Sequence, residues 1–274
     1  MSSKYSLAFA QEQERLQTQS LLTASITELL RERWLTSPAV SAPALGIDLG
    51  CAWGDLTRLL FRDQAFTTVI GLDRDATVIN GCSENERFRF REIDLARTDF
   101  AARLTGYIED LGPEHPTAVV VSLYAVVQHL EDPVAVLRQL RQALPKQAQV
   151  IAVNFDDGLI RCDQQALVEE ITQLSAAAAN GPRRRDGTKL SAYFKAAGFS
   201  AIEELRASHE LKQEDGIELR RRFFTSMYEW RSRYYPEGDH VQARLLSLLD
   251  RFREEFLVPS FSHQYVSVAV SGKA

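Results

Sequence analysis

The chain has 274 residues, a formal net charge of −5, and apolar and charged fractions of 45% and 25%. Those values exclude a disordered chain and argue against a nucleic-acid binder, which usually carries a basic balance or a basic stripe. No apolar run approaches the ~18 residues that cross a bilayer, and the polar, acid-containing start is unlike a secretory leader. Cys51, Cys82 and Cys162 form no C-x-x-C pair, so neither a disulfide framework nor a metal site is expected, and a reducing cytoplasm is the expected setting.

Taken in chain order, residues 9–32 read as an amphipathic helix. Ala44-Leu-Gly-Ile-Asp-Leu-Gly-Cys-Ala-Trp-Gly-Asp55 reads as a buried strand that runs through glycines into a helix, with Leu56, Leu59 and Leu60 at helical spacing. A second apolar run, Thr68-Val-Ile-Gly-Leu72, ends in Asp73. Further strands are expected at Phe88 to Leu95, at Val119 onward and at Gln149 to Val153, with a helix from Val134 to Leu144 between the last two. Beyond these, residues 163–178 suggest a helix capped by Asp163, and a second helix ends in Ala196-Ala-Gly-Phe199. Strand patterns at Ala201 to Leu211 and His263 to Val270 bracket two helical segments, one rich in Phe223, Phe224, Tyr228 and Trp230.

The glycine turn carries the chemistry. A strand passed to a helix through glycines lets the backbone approach a ligand closely at helix N-terminal amides. An acidic residue at the end of the next strand, here Asp73, stands where an open α/β sheet holds a ribose hydroxyl pair. A nucleoside cofactor follows. The dinucleotide fingerprint G-x-G-x-x-G does not fit, because its second and third glycine positions are Ala52 and Asp55.

The pattern that fits is D-x-G-C-x-x-G, from Asp48 to Gly54, which resembles motif I of the class I S-adenosylmethionine-dependent methyltransferases, commonly D-x-G-C-G-x-G. Ala52 replaces the middle glycine, tolerable if its φ stays below zero, and Val119 and Pro145-Lys-Gln147 replace the usual strand-four Asp and Pro-Gly-Gly turn. His129-Leu-Glu-Asp-Pro133 matches the H-L-x-D-P segment of such proteins. The resemblance implies a Rossmann-like, doubly wound α/β fold: a seven-stranded, mostly parallel sheet with an antiparallel last strand, plus a helical lid. It divides the chain into an N-terminal helical cap (1–40), a cofactor core (41–155), a helical insertion (156–198), and a last part (199–274) with a lid insertion at about 212–260.

For the cofactor S-adenosyl-L-methionine, with S-adenosyl-L-homocysteine as product, the resemblance implies contacts from Asp48, Gly50, Cys51 and Gly54 in the turn. It adds Asp73 and Arg74 after the second strand, Asp94 and Leu95 after the third, and Leu123 from the fourth. Tyr5 and Arg15 match a leading segment that closes over the methionine carboxylate, a task suited to a guanidinium and a phenol.

The implied reaction is in-line methyl transfer to an O, N or S atom of a small acceptor, aromatic or not, driven largely by positioning. Candidates for a base are His129, Tyr124, Asp156 and, further on, His263. The aromatic run from Phe223 to Tyr235 packs a core, supplies an apolar pocket, or does both. The arginine clusters 183–185 and 220–222 are expected at a solvated or salt-bridged surface. Alternatives are a nucleic-acid methyltransferase, a silent cofactor-binding scaffold and an NAD-dependent oxidoreductase; the protein is expected as a monomer or homodimer without a membrane partner.

Overall fold

The computed structural model describes residues 12–36, 43–111, 116–178 and 181–274. Helices α1 (Glu12–Leu22) and α2 (Ala24–Leu30), the latter continued by a π-helical turn at Arg31–Leu35, come first. The alternating part follows: β1 (Ala44–Leu49), α3 (Asp55–Leu60), β2 (Phe66–Asp73), α4 (Ala76–Asn80), β3 (Phe88–Glu92), α5 (Phe100–Leu111), β4 (Ala118–Tyr124), α6 (Pro133–Ala143) and β5 (Gln149–Phe155). Then come β6 (Arg161–Cys162), α7 (Gln165–Ala177), α8 (Leu190–Ala197), β7 (Ser200–Leu211), α9 (Ile217–Met227), α10 (His240–Phe256) and β8 (His263–Lys273). They form an eight-stranded sheet of order β3-β2-β1-β4-β5-β8-β6, with β7 pairing β8.

Two compact units divide the chain. The larger comprises residues 26–154, 186–206 and 268–274. Its strands β1 to β5 pair in parallel, and the order reverses between β1 and β4, the switch point of a doubly wound sheet. Every residue of β1 and β5 is buried, as a parallel strand covered on both faces requires. Leu45, Ile47, Leu49, Val121, Leu123 and Ala152 join Phe100 and Leu104 of α5, Leu137 and Leu140 of α6, and Phe194 of α8 in one core. Asp132 caps α6 by accepting from the Ala135 amide at 2.9 Å, and Pro133 takes the first turn, where no amide hydrogen is needed. The end of β8 closes this unit antiparallel to β5, with Gln149 Nε2 donating to Ser271 Oγ at 2.8 Å and the Ala274 amide to Ala148 O at 2.9 Å.

The smaller unit comprises residues 155–185, 207–267 and the described part of 1–25. Its core is aromatic: Phe223, Phe224 and Tyr228 pack edge-on or tilted against Phe252, Phe256 and His263 at centroid separations of 5.0–6.0 Å. Of the roles open to the aromatic run, packing a core is what Phe223, Phe224, Tyr228 and Trp230 display here, each side chain being buried. The eighth strand was not expected. It is β6, two residues long, antiparallel to β8 through Arg161↔Gln264 and Cys162↔His263, too short for any periodicity to mark it. The arginine clusters also differ from expectation. Arg183, Arg185, Arg221 and Arg222 are exposed, but Arg184 and Arg220 are buried. Arg220 donates to the carbonyls of Lys212, Asp215, Phe256, Pro259 and Phe261, so one guanidinium ties together the ends of β7 and α10 and the loop before β8.

Candidate functional site

The turn after β1 takes three residues into the left-handed region: Gly50 (φ 78°), Ala52 (φ 46°) and Gly54 (φ 80°). At Gly50 a Cβ would sit 2.3 Å from Val126 Cγ2, so that position requires glycine sterically as well as conformationally. Ala52 does not keep the negative φ expected of it. An L-residue held there carries about 1–2 kcal/mol of strain, and the hydrogen bonds around it explain why it persists. The Gly50 and Cys51 amides donate to Leu72 O at 2.7 and 3.1 Å, and the Ala52 amide donates to Asp73 Oδ2 at 3.0 Å. The turn is thereby fastened to the end of β2.

Asp73 organises its own strand end too. Its Oδ1 accepts from the Asp75 amide at 3.1 Å, and its carbonyl accepts from the Ile93 amide at 2.8 Å, which aligns the segment after β3. The Arg74 amide also donates to this carboxylate, so about one of its roughly four lone-pair sites remains for a ligand. Burial raises the Asp73 carboxyl, against the lowering effect of the Asp75, Ala52 and Arg74 amides and of the Arg74 charge.

Asp48 stands next to it in the sheet, on β1. Its Oδ2 accepts from Thr57 Oγ1 of α3 at 2.5 Å. Burial pushes its pKa up to about 7, the hydroxyls of Thr57 and Ser122 pull it down, and the charge of Asp73 pushes it up further. The site is electronegative, and a positively charged ligand group would relieve both carboxylates.

The remaining expected cofactor residues of the larger unit are placed as follows. Cys51 is buried and its thiol is held well above the ordinary range by that burial, so it is neutral. Asp94 and Leu95 are half-buried, and Asp94 Oδ1 accepts from the Ala96 amide at 3.0 Å. Arg74 is exposed. Leu123 lies in the core cluster. Of the candidate bases, Tyr124 ends β4 and is buried, while His129 is exposed and its Nε2 accepts from Gln128 Nε2 at 3.2 Å.

Others fall in the smaller unit. Arg15 donates to Glu12 Oε2 at 2.8 Å, to Gln19 Oε1 at 3.1 Å and to Ser226 O at 3.1 Å. Asp156 is buried, with Oδ1 accepting from the Gly158 amide at 2.9 Å. His263 is buried against the Tyr228 hydroxyl at 2.6 Å, and burial lowers its pKa to about 3, which keeps the ring neutral. Tyr5 lies outside the described residues. Among the described residues no group of three or more His, Cys, Asp or Glu side chains could hold a metal ion.

Thr57 and Ser122 escaped the sequence reading. Each carried a faint signal: Ser122 is a lone polar residue in an otherwise apolar strand, and Thr57 lies on the inward face of α3. The buried cluster of Asp157, Arg184 and Arg231 had no local signal, because its members are 27 and 74 residues apart.

A family model described as a methyltransferase domain matches residues 17–204. No curated protein matches the sequence. Among solved structures, phosphoethanolamine N-methyltransferase 2 of Haemonchus contortus in complex with S-adenosyl-L-methionine is similar over 98% of this chain and 60% of its own (TM-score 0.54, 14% identity). The YcgJ protein of Bacillus subtilis is similar over 92% and 97% (TM-score 0.53, 12% identity). So is the [4+2]-cyclase SpnF, over 91% and 80% (TM-score 0.51, 13% identity). At these identities the likeness is one of fold, and a fold of this kind serves more than one reaction.

Proposed function

The chain belongs to the methyltransferase-domain family and is an S-adenosylmethionine-dependent methyltransferase, and from that premise we propose that it methylates an oxygen, nitrogen or sulfur nucleophile of a small molecule. The observation that carries the cofactor assignment is the pair of buried carboxylates, Asp48 and Asp73, on neighbouring strand ends beside the left-handed turn. Their negative potential suits a ligand bearing a sulfonium and an ammonium group, and it disfavours the pyrophosphate of a dinucleotide. Asp73 would accept from the ribose hydroxyls with the acceptor capacity its backbone partners leave over. Asp94 and Leu95 would border the adenine, and Gly50, Cys51 and Gly54 would let the backbone come close. When bound, the cofactor supplies an electrophilic methyl group. Arg15 already has Glu12 as its partner, so a role at the methionine carboxylate requires that ion pair to open or be shared; Tyr5 is proposed to act beside it.

For an acceptor that must lose a proton, His129 is the exposed candidate of the four, with Tyr124, Asp156 and His263 buried. The net charge of −5 supports a small molecule over a nucleic acid as acceptor. No described helix is long and apolar enough to cross a membrane.

Calorimetric titration of S-adenosylhomocysteine into the wild type and Asp73→Ala tests the site. Loss of a charge-assisted hydrogen-bond pair predicts weakening by up to about 3 kcal/mol, roughly a hundredfold in Kd. Equal affinities would remove Asp73 from the ribose. Turnover of S-adenosylmethionine against a panel of small hydroxyl, amine and thiol acceptors, with RNA as the contrasting arm, then tests the acceptor class.

A further inference from the structure

The smaller unit contains carboxylates that are each shared by two guanidiniums. Asp157, its side chain 1% exposed, accepts from Arg184 Nε at 3.1 Å and from Arg231 Nη1 at 2.8 Å. Glu12, at 2%, is shared by Arg15 at 2.8 Å and Arg233 at 3.0 Å. Two carboxylates thus serve four guanidiniums. The adjoining Asp156 turns Oδ1 to the Gly158 amide. Arg231 Nη2, fully buried, has no hydrogen-bond partner among the described residues. Arg184, Arg15 and Arg231 lie 5.2, 5.6 and 5.7 Å from the Trp230 ring, so positive charge gathers around one indole. Isolated buried charge is costly, and a guanidinium that shares a carboxylate retains the capacity to bind a second anion.

A cleft opens within this unit at the same cluster. It is lined by Asp157, Thr172, Ser175, Arg184, Arg185 and Trp230, is partly open, and has free space of about 10 Å³. That is close to the least space that holds one water-sized group. Thr172 is 2% exposed, sits inside α7, and its Oγ1 has no partner among the described residues. A threonine within a helix commonly returns its hydroxyl to the carbonyl four residues back. Thr172 does not, which leaves a donor at the wall of a cleft that also presents two guanidiniums. A neutral water would satisfy the hydroxyl but leave the charge uncompensated.

We propose that this cleft binds an oxyanion, the carboxylate or phosphate group of a small ligand, with one oxygen in the cleft accepting from Thr172 Oγ1 and Arg184. Arg185 stands at the mouth, where its present partner is Glu169. The Asp157 carboxylate in the wall is already doubly paired, so the guanidiniums outweigh its repulsion. Each residue named belongs to the smaller unit, and binding needs no cofactor.

The test is calorimetric titration of the full chain, without cofactor, using inorganic phosphate in one arm and acetate in the other, with sodium chloride at equal ionic strength as control. Saturable binding in either arm is expected, and the arm that binds identifies the anionic group. Thr172→Val, which removes only the hydroxyl, should weaken it about tenfold, and Arg184→Gln should abolish it. Asp73→Ala should leave it unchanged. Absence of saturable binding in both arms, or equal affinity in wild type and Thr172→Val, overturns the proposal; the second variant keeps the test decisive if Arg184→Gln fails to fold.

Discussion

Replacing Asp48 with asparagine should remove a pH dependence of stability. The carboxyl ordinarily titrates at 3.8 and is raised to about 7 in the folded chain by burial, against the pull of Thr57 and Ser122. Below pH 4 it is protonated in both folded and unfolded states, and its contribution is fully present. Between pH 4 and 7 the unfolded chain releases the proton while the folded chain keeps it, so stability falls as pH rises. Above pH 7 the folded carboxylate ionises too, and the accumulated loss reaches on the order of 4 kcal/mol. Asparagine cannot ionise, and its amide can accept from Thr57 and donate to the Ser122 hydroxyl. Urea unfolding of both proteins from pH 5 to 8.5 should therefore give a falling profile for the wild type and a flatter one for Asp48→Asn, with the variant the more stable at pH 8. Parallel profiles would refute the reasoning. The same substitution should weaken binding of the cationic S-adenosylmethionine, which links the stability cost of this carboxylate to its use.

Other expectations are simpler. Ala52→Gly relieves a left-handed φ and should raise stability by about 0.5–1 kcal/mol, after the added chain entropy of glycine, as read from the unfolding midpoint. Arg220→Met leaves five carbonyls without their shared donor and should cost at least about 3 kcal/mol, whereas exposed Arg221→Met in the same run should stay within about 0.5 kcal/mol; equal effects would contradict the burial difference. Asp157→Asn strands Arg184 and Arg231 in the interior and should cost about 3–5 kcal/mol, measured by chemical unfolding at pH 7.

Where chemistry depends on neighbours in the chain, the sequence was a good guide. The strand-turn-helix at Asp48 to Gly54 is local: apolar alternation fixes the strand, and glycines fix the turn. The same holds for Asp132 and Pro133 at the start of α6, and for the helix end at Gly198, whose φ is 90°. Arg220 and Arg184 show where such reading stops. Each sits in a run of three arginines, and nothing in the run says which member turns inward.

The sequence by itself determined the order of the five parallel strands, the methyltransferase resemblance and the acidic residues at two strand ends. Periodicity and turn chemistry are short-range properties, written within a few residues of where they act. Only the tertiary structure decided that Thr57 and Ser122 converge on Asp48, that Ala52 is held in a strained φ by Asp73, and that Asp157 gathers two arginines from distant segments. Burial and pairing over such separations arise when the chain closes on itself, and no window along the sequence contains them.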